Sequence, residues 1–370
     1  MKRFLPFALV LCSGAWIYAC SSSDGSNNNG PPSDTTNGEN GNGNPDPNNP
    51  SGNDGGGGGN DASPTEDSST PDATSNVNPI EGATAKSELE VENVDGLVWK
   101  TDAVYFTLPY QQLLVKYTPG RTPDPTDQYV TSINALGITF DEKANTLLFA
   151  NSNDHGVAEL RRVEAGKTGP FPIATTAVAM TQADGGATPP PYSPNDAVVR
   201  KSDGTIFLTD PGYQSGNITN GVYRLSPQNK LSQVAAYTEE RPNGIALSPD
   251  SATLYVSLTQ NQDPPGTTIP SIVKFTVAAD GTTGTATKFV DVGPADAAPD
   301  GLTVDTGGNV YVATKTGVQV FAADGKKWGQ ITTAKPATNV AFGGADAKTL
   351  YISTTGGIFS AQVKIAGLGQ

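Results

Sequence analysis

Histidine is nearly absent from this 370-residue chain, and His155 is the single one. That excludes a multi-histidine zinc centre and leaves a serine–histidine–acid triad without a placed base. No Gly-x-Ser-x-Gly nucleophile elbow occurs either. Cysteine is almost as scarce. Of the two, Cys12 lies inside an N-terminal apolar run and Cys20 just after it, so the mature chain cannot form an intramolecular disulfide. The fold must then rest on a hydrophobic core. Positive charge is also short, at 23 Lys and Arg against 37 Asp and Glu, a formal charge of −14. Such a balance cannot neutralise phosphates along a groove, so a nucleic-acid partner is not expected. Helical apolar periodicity is missing throughout, which argues against a helix-rich or doubly wound fold.

The apolar run itself, Phe4 to Trp16 behind Lys2 and Arg3, is too short to span a bilayer and has the form of a secretory signal. It ends at Ile17-Tyr18-Ala19-Cys20, which resembles a bacterial lipobox with an unusual Tyr18. The expectation is an exported lipoprotein with residues 1–19 as signal and Cys20 lipidated, held in the cell envelope and with the outer membrane as one destination. Cleavage of an ordinary signal near Ser21 is the alternative. Residues 20–79 are Gly, Asn, Ser, Pro, Asp and Thr with almost nothing apolar, the composition of a disordered tether. As a flexible coil it would reach on the order of 40 Å.

From residue 80 to 370 the pattern changes to short Val, Ile, Leu, Tyr and Phe runs separated by Gly, Asp, Asn and Pro. Laid on itself, this region gives six units. Their first strands start at Asp95-Gly96, Leu136-Gly137, Asn195-Asp196, Asn243-Gly244, Asp300-Gly301 and Asn339-Val340. About ten residues on, each has a second apolar strand, such as Val104-Tyr105-Phe106-Thr107 or Leu254-Tyr255-Val256-Ser257. Six repeats of three or four strands predict an all-β fold, a six-bladed β-propeller. The segments 87–91 and 358–363 are candidates for closing the circle.

In a propeller the first strand of each blade lines the central channel, so the six starting positions converge. Five of them, Asp95, Asn195, Asn243, Asp300 and Asn339, carry a carboxylate or carboxamide, and the sixth is Leu136. Such oxygens suit a divalent cation, calcium above all, which takes hard oxygen ligands at about 2.3–2.6 Å. Singly, Asn-Gly and Asp-Gly also read as ordinary turn dipeptides.

Pro194-Asn195-Asp196, the loop Thr209-Asp210-Pro211-Gly212-Tyr213, the stretch from Arg241 to Asp250, Pro299-Asp300-Gly301-Leu302 and the stretch from Thr338 to Gly344 together resemble the gluconolactonase/senescence-marker-protein (regucalcin-like) family. The resemblance implies a cation-dependent hydrolase of sugar lactones or related esters. It implies Asn243 and Asp300 as metal ligands and Asn195 as a ligand or substrate contact. Asp95 stands where the family carries a ligating Glu. Asp300, with Asp95 as the alternative, would orient or deprotonate the attacking water, and Tyr213 would bind substrate or pack over the channel mouth. His155 is out of phase with the family's blade-two motif and reads as a loop residue. A monomer is expected. The competing expectation is a non-catalytic calcium-binding propeller that serves as an interaction module.

Overall fold

The computed structural model describes residues 77–370 apart from 124–126, 132–133, 153–157, 165–175, 185–190, 192, 214–219, 261–267, 295–296 and 369–370. The signal run, Cys20, nearly all of the tether and His155 lie outside the described residues.

Six antiparallel sheets follow one another along the chain. Blade 1 runs Leu97–Lys100, Ala103–Leu108, Leu113–Tyr117 and Gln128–Thr131 from the innermost strand outwards. Blade 2 is Ala135–Asp141, Thr146–Ser152, Ala158–Glu164 and Thr176–Ala177. Blade 3 is Ala197–Val199, Ile206–Asp210, Asn220–Leu225 and Lys230–Tyr237, with Thr181–Gln182 added in parallel at its edge. Blade 4 is Glu240–Leu247, Thr253–Gln260, Ser271–Thr276 and Thr287–Asp291. Blade 5 is Leu302–Val304, Val310–Thr314, Gly317–Phe321 and Lys327–Thr332. Blade 6 takes Ala337–Gly343, Thr349–Thr354 and Gly357–Gln362 from the C-terminal end and its outermost strand, Lys86–Leu89, from the other end of the propeller. The closure expected from the sequence is therefore present. It covers the edge of Gly357–Gln362 and brings blade 6 to four strands.

The core is not one mass but six seams. Each buried apolar cluster joins two neighbouring blades, and the sixth, which includes Val104, Phe106, Tyr351 and Ile358, joins blade 6 to blade 1. Second strands lie between two seams and are buried on both faces, which is why Val104-Tyr105-Phe106 is a continuous apolar run rather than an alternating one. Val104 and Phe106 face the seam with blade 6, and Tyr105 the seam with blade 2. Burying such residues contributes about 1.5–3 kcal/mol each. At the seam between blades 6 and 1, Trp99 stacks on Tyr351, with centroids 5.2 Å apart and planes within 6°.

Candidate functional site

The six starting positions lie where the regular ladder of each inner strand is bulged or about to begin. Register shifts between Pro242 and Ile245, Ala135 and Ile138, and Ala337 and Asn339 interrupt three inner strands at these positions. Asp95, Asn195 and Asp300 each precede their strand by two residues, and their N–H groups bond to Thr107 O, Thr209 O and Ala313 O of the second strand. At these irregularities the backbone keeps its bonds to the second strand and also bonds across to the next blade. Gly96 N donates to Leu136 O at 3.1 Å, Gly137 N to Asn195 O at 2.6 Å and Gly301 N to Thr338 O at 2.9 Å. Glycine is needed for this approach. A Cβ at Gly96, Gly137, Gly244 or Gly301 would overlap the ring residue of the following blade. The Asn-Gly and Asp-Gly pairs thus mark blade-to-blade contact rather than turns.

Asn195 and Asn243 are buried, at 5% and 6% exposure, while Asp95 and Asp300 are half-buried. Burial pushes the Asp95 carboxyl up to about 6. Burial, with the charges of Asp95 and Asp196 added, raises Asp300 well above the ordinary carboxylate range. These carboxyls therefore sense one another, and a cation among them would relieve both the burial and the repulsion. Asn243 supplies the clearest sign of a missing partner. Its Nδ2 donates to Tyr213 Oη at 3.1 Å, yet its Oδ1 is buried with no hydrogen-bond partner. An orphaned buried amide oxygen beside raised carboxyls fits a divalent cation as the group that completes it. Among the described residues no three His, Cys, Asp or Glu side chains group closely enough to hold a metal by themselves. Amide oxygens would have to share the work.

Asn339 differs from its equivalents: its Oδ1 accepts the N–H of Val340 at 2.8 Å, so that oxygen already has a partner. Leu136 offers the axis only its carbonyl, which takes hydrogen bonds from Gly96 N and Thr107 Oγ1. In blade 2, Asn151 Oδ1 accepts the N–H of Asn134 at 3.0 Å, a local structural role.

Asp196 is a ring carboxylate that the sequence reading did not single out as a site residue. Its Oδ1 accepts Ala197 N at 2.9 Å and its Oδ2 accepts Ile245 N of blade 4 at 3.3 Å. Burial above all, and the Asp95 charge, push it up to about 7 against those two bonds. The signal was its place: it occupies the position where four other blades carry glycine. Below it the channel becomes a cavity of about 150 Å³ with a mixed wall, lined by Leu97, Ile138, Ile245 and Val340 but also by Glu142 and Lys201 among others.

Tyr213 lies at the other mouth, its ring half-exposed and its hydroxyl turned in to Asn243. Burial of that hydroxyl and the nearby Asp300 charge push its pKa up, so it stays neutral.

The profile of the SMP-30/Gluconolactonase/LRE-like region matches residues 94–356, which takes in blades 1 to 5 and the two inner strands of blade 6. A gluconolactonase of Zymomonas mobilis subsp. mobilis is 34% identical over 193 residues, 47% of this chain and 51% of that one. Lactonohydrolase oryH of Aspergillus oryzae is 25% identical over 315 residues, 78% of this chain and 58% of that one. The chain thus spans little more than half the length of these two relatives. A solved gluconolactonase from Xanthomonas campestris superposes with a TM-score of 0.59 at 25% identity, covering 76% of this chain and 90% of its own. With the profile match spanning the propeller, the chain belongs to the SMP-30/gluconolactonase-like family.

Proposed function

We propose that this chain is a divalent-cation-dependent hydrolase of sugar lactones or related esters, with calcium as the cation held by Asp95, Asn195, Asn243 and Asp300. The observation that carries the reading is Asn243 Oδ1, buried and unpartnered beside two carboxyls raised by burial. The names of the relatives, gluconolactonase and lactonohydrolase, support the substrate class.

When bound, the cation supplies Lewis-acid polarisation of the lactone carbonyl. The chain's own residues do the rest. Asp300, whose proton affinity is raised by burial, accepts a proton from water as the water oxygen bonds to the carbonyl carbon. The ring C–O bond then breaks, and the proton passes to the leaving oxygen to give a hydroxy acid. Asn195 and Tyr213 border the mouth through which the substrate ring enters and are placed to hold its hydroxyls.

Hydrolysis of a panel of aldonolactones and aryl esters, with calcium and with chelator, tests this. Turnover should vanish in chelator and return with calcium, and Asp300→Ala should lose both binding and turnover. Calcium binding with no turnover on any substrate would favour the interaction-module reading instead.

We propose further that the protein is exported and anchored through lipidated Cys20, which the short apolar run and the polar stretch behind it support. Acylation by several chains would hold it stably on a membrane. A Cys20→Ala variant should leave the membrane fraction, and continued partitioning there would refute the anchor.

A further inference from the structure

We infer that Tyr213 is a positioning residue for the cation: its hydroxyl holds the Asn243 amide so that the oxygen end, and not the nitrogen end, faces the channel axis. This rests on the cation reading above.

The two ends of a carboxamide are nearly equal in shape, but only the oxygen can ligate a cation. Strand geometry aims the Asn243 side chain at the axis and does not choose which end leads. The choice needs an acceptor behind the NH₂ group. Tyr213 Oη provides it, accepting from Nδ2 at 3.1 Å, and leaves Oδ1 buried and free for the axis. A partner that orients a metal ligand from behind is a general feature of such sites, and its loss typically weakens binding 10–100-fold.

Tyr213 is itself fixed by the residues around its loop. Asp210, 1% exposed, accepts Ser193 N at 3.1 Å and Gly212 N at 2.8 Å through its two carboxylate oxygens. Gly212 sits at φ +66°, a conformation that favours glycine and turns the chain toward the mouth. Arg241 Nη1 donates to Pro211 O at 2.8 Å while its guanidinium carbon lies 5.2 Å from the centre of the Tyr213 ring. Arg241 and Asn243 are two residues apart on the same strand of blade 4, so that strand both clamps the loop and receives its hydroxyl. The ring is 47% exposed, which is more than core packing alone would leave.

The test is calcium titration by calorimetry on the full chain and on Tyr213→Phe, which keeps the ring and its stack on Arg241. The calcium Kd should rise about tenfold or more, with the melting temperature in chelator unchanged. In an Asn243→Asp background either carboxylate oxygen serves, so adding Tyr213→Phe should no longer weaken binding. Unchanged calcium affinity in Tyr213→Phe, with only KM raised, would make Tyr213 a substrate contact and overturn the inference. An equal loss in both backgrounds would overturn it too. If the unsubstituted chain binds no calcium, the cation reading fails and takes this inference with it.

Discussion

Ser353 Oγ donates to the carbonyl oxygen of Asp95 at 2.7 Å, across the seam where the last blade meets the first. The same contact recurs around the axis. Thr107 reaches Leu136 O at 2.5 Å, Thr209 reaches Asn243 O, and Ser257 reaches Asp300 O at 2.7 Å. Where the second strand instead carries Ala150 or Ala313, a main-chain N–H makes the crossing, from Gly137 or Gly301. A circle of short hydroxyls thus sets the backbone from which three of the proposed cation ligands project.

Ser257→Ala tests that circle beside Asp300. The hydroxyl is fully buried, accepts Gly244 N at 2.8 Å and donates to Asp300 O. Its loss leaves both groups unpaired and should cost about 1–3 kcal/mol of stability in urea unfolding. Thr314→Ala, which removes a buried hairpin bond to Gly317 O away from the axis, is the control. Both should lose stability, but only Ser257→Ala should also weaken calcium binding.

Gly244→Ala should fail for a different reason. Its new Cβ would overlap the carbonyl oxygen of Asp300, a backbone atom that cannot swing aside. Blades 4 and 5 must then part, at a cost of about 1–3 kcal/mol, and calcium affinity should drop as Asp300 moves. Gly356→Ala meets only the flexible stem of Lys335 at 2.8 Å and should be tolerated far better by thermal melting. Equal losses in the two variants would remove the argument from blade contact.

The blades were legible in the sequence because second strands face two seams at once, so runs such as Leu254-Tyr255-Val256 stand out against the Gly, Asp and Asn between them. The phase of the ring was legible for the same reason, since each start lies about ten residues before such a run. What the sequence could not supply was what each oxygen touches. Asn243 and Asn339 are equivalent in phase, yet one keeps a free buried oxygen and the other uses its oxygen on Val340 N. Asp196 escaped notice because its meaning depends on Ile245 of the next blade, 49 residues away. Tyr213 showed only as a loop aromatic until its hydroxyl was found against Asn243.

The pH dependence of stability should have an unusual sign. Asp95 and Asp196 are pushed up to about 6 and about 7, above the ordinary aspartate value near 4. Between about pH 4 and 7 the folded chain therefore keeps protons that the unfolded chain has released, so stability falls as pH rises through this window. Cation binding needs the ligand carboxyls Asp95 and Asp300 deprotonated, so calcium affinity should rise with pH. Melting curves in chelator from about pH 4.5 to 7.5 should move steadily to lower temperature, and excess calcium should cancel that decline toward neutral pH. Asp196→Asn, which removes one titrating carboxyl, should make the curve in chelator shallower. A flat profile in chelator, or one that rises with pH, would mean that burial and the neighbouring charges do not raise the ring carboxyls in the folded chain, and the case for a cation among them would lose its electrostatic basis.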